Sequence, residues 1–212
     1  MSIDPLRRPD NRRTQAERRA DSEQRLLRAS AELIVEQGLE RTSLADIGRR
    51  AGASHALVNH RFGSKDDLVD RIIEEATRYY ARTARDRVGD RSGLEALLEI
   101  CDLYLDLVDG PDPLGRVHIV MWSEAIAHTA TRRTAQLDWD RRFRRLVADL
   151  IEDGVAQGTI RSDVAAAETA LTIVGALRGV AMQLLLDDGL ALAPARALIR
   201  SVVLDNLRHD VP

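Results

Sequence analysis

His55, Asn59, His60 and Arg61 fall within seven consecutive positions, and Lys65 follows four residues later. All of them can donate hydrogen bonds to base edges or phosphate oxygens. The Asn59 amide suits a two-bond contact with adenine, and Arg61 and Lys65 carry charge that phosphate attracts. This is the chemistry of recognition rather than of bond making. His55 and His60 are five apart and do not share a helical face, and neither His118 nor His128 has a metal-binding pattern beside it. No nucleophile elbow, phosphate loop or paired-histidine zinc helix occurs, and the run Gly63-Ser-Lys reads as the start of a helix. The expectation is a protein that is not an enzyme and uses no cofactor and no metal.

To present such side chains, a short helix must be held outward by its neighbours. Thr14 and Glu17 have capping-box spacing, and the helix they open has an apolar face of Leu26, Leu27, Ser30, Leu33 and Ile34 before Gly38 ends it. Ser43 with Asp46 opens a second helix with Leu44, Ile47 and Ala51 inward, which Gly52 terminates. Ser54 caps a third from 55 to 61, and Ser64 with Asp67 a fourth that runs toward Val88. Two short helices about a glycine turn are the spacing of a helix-turn-helix over residues 44 to 62. Gly48 removes a side chain where the second helix approaches, and Ile47, Ala51, Ala53 and Val58 form a small core between the pair. Without further information the same pattern is open to a plain helical hairpin in a bundle.

The 212 residues are 44% hydrophobic, 31% charged and 3% aromatic, which suits a folded all-α protein of two cooperating units. Residues 1–65 hold 13 Lys and Arg against 9 Asp and Glu, leaving 18 against 25 in the rest, so phosphate contact is expected near the N-terminus. Residues 1–13 read as a flexible basic arm. The single cysteine, Cys101, has no partner for a disulfide, no apolar leader follows the N-terminal arginines, and no window reaches the roughly 18 to 20 apolar residues of a membrane span. A cytoplasmic protein without membrane contact is expected.

The run Thr42-Ser-Leu-Ala-Asp-Ile-Gly-Arg-Arg-Ala-Gly-Ala-Ser, continued by His55-Ala-Leu-Val-Asn-His-Arg-Phe-Gly-Ser-Lys65, resembles the DNA-binding domain of the TetR (tetracycline-repressor-like) regulators, and the preceding helix to Gly38 is similar as well. The resemblance implies a recognition helix in the major groove with Ser54, His55, Ala56, Leu57, Asn59, His60 and Arg61 facing DNA, and backbone contacts from Ser43 and Lys65. Ala56, Leu57, Val58, Asn59 and Arg61 depart from the residues common there, which makes this a variant recognition helix. The partners so implied are a palindromic operator of double-stranded DNA, a second copy of the chain, and a small-molecule effector that releases a repressor.

Beyond a polar hinge at 89–93, helices are expected near 92–109, 114–128, 131–157, 164–187 and 194–208, giving about nine in all. The division is therefore a helix-turn-helix domain with its connecting helix at 14–88 and a larger effector-binding and dimerisation domain at 89–212. Met121-Trp-Ser-Glu-Ala and Gly175-Ala-Leu-Arg-Gly-Val-Ala-Met-Gln-Leu-Leu-Leu-Asp-Asp resemble the choline- and betaine-responsive branch, which implies that the last two long helices pair with their copies. Leu171, Val174, Ala181 and Leu185 form a stripe beside Gly175 and Gly179, and Met182, Leu198 and Val202 complete the candidate dimer interface. The glycines could equally serve packing within one subunit. Tyr104, His118, Met121, Trp122 and Trp139 are candidates to line an effector cavity, with plain core packing as the alternative.

Overall fold

The computed structural model of the chain describes residues 14–127 and 130–208, so the expected basic arm lies outside the described residues. Among these, nine helices and no strand occur: α1 (Gln15–Gln37), α2 (Leu44–Ala51), α3 (His55–Phe62), α4 (Lys65–Val88), α5 (Gly93–Asp109), α6 (Pro113–Ala127), α7 (Ala130–Ala156), α8 (Ala166–Leu186) and α9 (Leu192–Leu207). Each of the first four starts on a hydroxyl. Thr14, Ser43, Ser54 and Ser64 accept from the N–H three residues on, at 3.1 to 3.2 Å. Glu17, Asp46 and Asp67 close three of these caps reciprocally. A cap of this kind is worth about 1 kcal/mol, which matters most for eight-residue helices such as α2 and α3 that could not persist alone.

Two hydrophobic clusters hold the helices together. The first joins Leu26, Ile34, Ile47, Val58, Phe62, Leu68 and Ile72 from α1 to α4. It is closed by Leu114, Val117 and Met121 of α6, so three residues from beyond the expected division at 89 belong to the core beneath the helix-turn-helix. The second gathers α5, α7, α8 and α9 around Leu97, Cys101, Tyr104, Phe143, Ile151, Val174 and Leu177. Helix α4 passes from one to the other, with Ala76 in the first and Tyr80 in the second. Ion pairs tie its far end onward: Arg87 reaches Glu99 and Asp106 of α5 at 2.6 Å each, and Arg196 of α9 meets the same Asp106.

Helix α8 corrects one expectation. Its 21 residues are long and apolar enough to cross a bilayer by length and composition, contrary to the sequence reading. Ala170, Ile173, Val174, Leu177 and Ala181 face the second core, and a different apolar set lies outward.

Candidate DNA-binding surface

Helix α3 is pinned by two side chains. Val58 and Phe62, four apart, are buried in the first core, which turns His55, Ala56, Asn59 and His60 to solvent and leaves Leu57 half-buried. Gly52 makes the turn into α3 in the left-handed region, at φ 65° and ψ 33°. At Gly48 a Cβ would sit 2.9 Å from the Ala53 carbonyl oxygen and 3.2 Å from Val58 Cγ2, so the absence of a side chain there sets how closely α3 approaches α2.

The hydroxyls of Ser43 and Ser54 serve as caps, and Ser43 Oγ also donates to Asp46 Oδ2 at 2.6 Å. Arg61, expected to reach outward for phosphate, is instead turned in. Its guanidinium lies 3.8 Å from Glu23 of α1, a carboxylate that also faces Arg71 of α4 at 3.7 Å. The reason is its helical phase, three residues after Val58 and next to Phe62, on the side of α3 that meets α1. Lys65 Nζ donates to the Glu40 carbonyl oxygen at 3.0 Å and stands 3.9 Å from the Glu40 carboxylate. Arg50 bridges Glu32 and Glu36 at 3.1 and 2.6 Å, tying α2 to α1. Arg41, just before α2, and Arg49, within its last turn and paired with Asp46, are exposed cations that the sequence reading did not single out. Their places, two residues before the Ser43 cap and in the last turn of α2, could have pointed to them.

In the body the expected effector residues separate into two groups. Tyr104, His118 and Trp139 join Tyr80 and Phe143 in a buried aromatic cluster, with Tyr104 and Trp139 each stacked on Phe143 at 5.4 and 5.3 Å. Met121 leaves that group. Residues 114, 117 and 121 share the face of α6 that enters the first core, while His118 and Trp122 lie one helical step round, toward α7 and α8. Trp122 borders a hollow of about 180 Å³ with Ala125, Ile126, Arg133, Gln136, Leu137 and Asp140, and the Arg178 guanidinium lies 4.7 Å above its ring. Burial, with Arg178 nearby, pushes His118 down to about 3, so the ring is neutral. Burial pushes the Tyr104 phenol up to about 12.

Of the expected interface residues, Leu171, Gly175, Gly179, Met182, Leu198 and Val202 are exposed. Val174 is not: it is buried in the second core beside Leu177. The outward stripe of α8 runs Leu171, Gly175, Met182 and Leu186, and Val174 and Ala181 lie on the opposite face. Nothing lies within 4 Å of a Cβ built on Gly175 or Gly179, so neither glycine is required by packing inside the subunit.

Residues 26–72 match the sequence profile of the bacterial regulatory proteins of the tetR family, and residues 93–208 match that of the BetI-type transcriptional repressor C-terminal domain. The chain belongs to the TetR family. It is therefore a DNA-binding transcriptional regulator and not an enzyme, and its body is of the BetI type. Among relatives, the BetI regulator of Paraburkholderia phymatum is 28% identical over 158 residues, 73% of this chain and 81% of that protein. The KstR2 repressor of Rhodococcus jostii is 27% identical over 145 residues, 66% of this chain and 68% of that one. Two solved structures share the fold. A regulator from Saccharomonospora viridis in complex with choline has a TM-score of 0.80 at 21% identity, covering 90% of this chain and 99% of its own. A TetR-family regulator from a Rhodococcus species has a TM-score of 0.77 at 17% identity, covering 89% and 99%. The departures at Ala56, Asn59 and Arg61 from the residues common in that family fall on or beside the outward face of α3.

Proposed function

We propose that the chain acts in the cytoplasm as a homodimeric repressor whose two α3 helices occupy successive major grooves of a palindromic operator, with centres about 34 to 36 Å apart. Residues 14–88 would form the operator-binding unit, and 89–212 the effector-binding and dimerisation unit. The observation that carries this reading is that α3 is fixed from behind by Val58 and Phe62 while His55, Ala56, Asn59 and His60 stand free. The unpartnered apolar stripe on α8, continued by Leu198 and Val202 on α9, supports a second copy, since one recognition helix offers too little contact for specific binding. Release would come from a small molecule in the body that binds the DNA-incompetent arrangement more tightly than the DNA-bound one, with α4 as the link because it enters both cores. The choline found in a protein of the same fold makes small polar metabolites the first class to screen.

Selection of bound fragments from random DNA by the full chain tests the reading. A two-fold symmetric consensus is expected, with Asn59→Ala costing about 1 to 3 kcal/mol and relaxing the sequence at one position of each half-site. Binding that is blind to sequence, or indifferent to Asn59→Ala, would falsify it.

A further inference from the structure

The body contains more buried polar atoms than it pairs. Tyr104, His118, Gln136, Asp140 and Arg178, from α5, α6, α7 and α8, are each more than nine-tenths buried. Arg178 Nη1 reaches Asp140 Oδ1 at 2.6 Å, while the buried Nε and Nη2 have no hydrogen-bond partner among the described residues. Those two nitrogens form one edge of the guanidinium, the fork that takes both oxygens of a carboxylate. Both ends of the Gln136 amide and His118 Nε2 are likewise without partners among the described residues, and the Tyr104 hydroxyl lies beside the Arg178 guanidinium. Unpaired groups of this kind are costly in a folded interior, and native cores rarely gather several in one place unless something else completes them.

Charge says what completes them. Asp140 is shared by two arginines, since Arg144 holds its second oxygen at 2.9 Å. His118 is neutral, with one ring nitrogen donating to the Gly115 carbonyl. The unpartnered Nε2 is therefore the bare acceptor. The cluster thus carries a net positive charge. The one face of Trp122 seen to hold a cation is already covered by Arg178. The hollow of about 180 Å³ reaches the outer edge of the cluster, with Trp122, Gln136 and Asp140 on its wall and Tyr104, His118 and Arg178 buried behind it. It lies below the roughly 300 Å³ at which drug-sized pockets begin, so the occupant has only a few carbons.

The geometry points to a binding site for a small hydroxycarboxylate: the carboxylate on the Nε and Nη2 edge of Arg178, the hydroxyl donating to His118 Nε2, and the Gln136 amide and Tyr104 hydroxyl filling in around them. This rests on the reading of the body as the effector-binding unit. It departs from a ligand whose only charge is positive, because a quaternary ammonium such as choline would meet the positive cluster with one neutral hydroxyl oxygen, and no carboxylate, to offer the guanidinium edge.

Calorimetry on the full chain without DNA tests the site with 4-hydroxybutyrate, its primary amide, butyrate and choline as probes. Failure there leaves operator binding untouched, because no DNA is present. The hydroxy acid is expected to bind at least about 30-fold more tightly than its amide or choline, since two charge-assisted hydrogen bonds separate acid from amide. Arg178→Lys keeps the charge and loses the fork, and should weaken the acid about tenfold or more while the fold, followed by circular dichroism, is retained. His118→Phe should leave hydroxybutyrate and butyrate equal. Choline binding as tightly as the acid, equal affinity for acid and amide, or acid binding unchanged in Arg178→Lys overturns the assignment. So does a site that yields no heat with either acid up to about 10 mM, a weaker affinity than any ligand-specific site requires.

Discussion

Around the core beneath the recognition helix, buried polar groups are matched. Ser30 Oγ donates to the Leu26 carbonyl at 2.7 Å, Thr42 Oγ1 to the Gly38 carbonyl at 2.9 Å, and Glu75 takes Arg78 and Arg82 at 3.1 and 3.4 Å. Arg61 Nε is the exception there. Around the core of the body the proportion reverses, with Tyr80, His118, Gln136 and Arg178 all carrying unpaired buried atoms. The first core has one task, to hold α3 at a fixed height, and aliphatic packing with local hydrogen bonds does that best. On the proposed reading the second gives up stability to hold polar groups for a ligand, as expected of a site that responds to one. Mutations that touch polar groups should therefore act differently in the two regions.

The largest contrast is between two carboxylates. Asp140→Ala strands the buried Arg178 guanidinium and is expected to cost about 3 to 5 kcal/mol of unfolding free energy in urea titration. Glu75→Ala removes a carboxylate whose arginine partners are 52% and 53% exposed, and should cost about 1 kcal/mol or less. Similar losses at the two positions would remove the distinction drawn between the cores.

The matched core should be sensitive to shape instead. Gly48→Ala puts a methyl against the Ala53 carbonyl oxygen and Val58 Cγ2, and neither can retreat without lifting α3. A loss of about 1 to 3 kcal/mol is expected, with operator affinity falling further than stability alone explains. Full operator affinity at unchanged stability would show that the α2 to α3 distance is not fixed by this contact.

Protonation supplies a test confined to the body. His118 sits near 3 in the folded chain and near its ordinary 6.5 when unfolded. Above pH 6.5 it is neutral in both states and has no effect. As pH falls below 6.5 the unfolded chain takes up the proton first, so stability should drop by up to about 1.4 kcal/mol per pH unit toward pH 3, or about 2 kcal/mol by pH 5. His118→Phe should flatten that limb of the profile. A limb unchanged in His118→Phe would place the buried titrating group elsewhere.

The same contrast explains how much of the molecule is legible in its sequence. Caps at Thr14, Ser43, Ser54 and Ser64, and the glycines that end helices, act through residues three or four apart, so the amino-acid order alone reveals them. Helical phase is less accessible. Met121 and Val174 lie on other faces than expected because α6 is apolar toward two cores, and α8 toward one core and solvent, so the sequence shows several possible stripes and only the neighbouring helices choose among them. Arg61 turns inward for a similar reason, since its partner Glu23 lies 38 positions earlier. Arg178 carries a signal that could have been followed, as the only basic residue in a largely apolar helix of 21 residues. Such a charge on the inner face asks for a partner, and Asp140 on α7 cannot be picked from the many charges of that helix without the fold.

The smallest expected effect is also the one whose sign matters most. Gln136 is 3% exposed, and neither atom of its amide has a hydrogen-bond partner among the described residues. In the first core, replacing a buried polar residue such as Ser30 by an apolar one would discard a made hydrogen bond and lower stability. Gln136→Leu discards none. It replaces an unsatisfied amide by an apolar group of similar length, and the gain should be about 1 kcal/mol, or a few degrees in Tm. If the amide is held for a ligand, the same substitution must weaken 4-hydroxybutyrate while it strengthens the fold, and the two measurements move in opposite directions. A protein that loses stability on Gln136→Leu already satisfies that amide internally, and the body's core would then be matched like the one beneath α3.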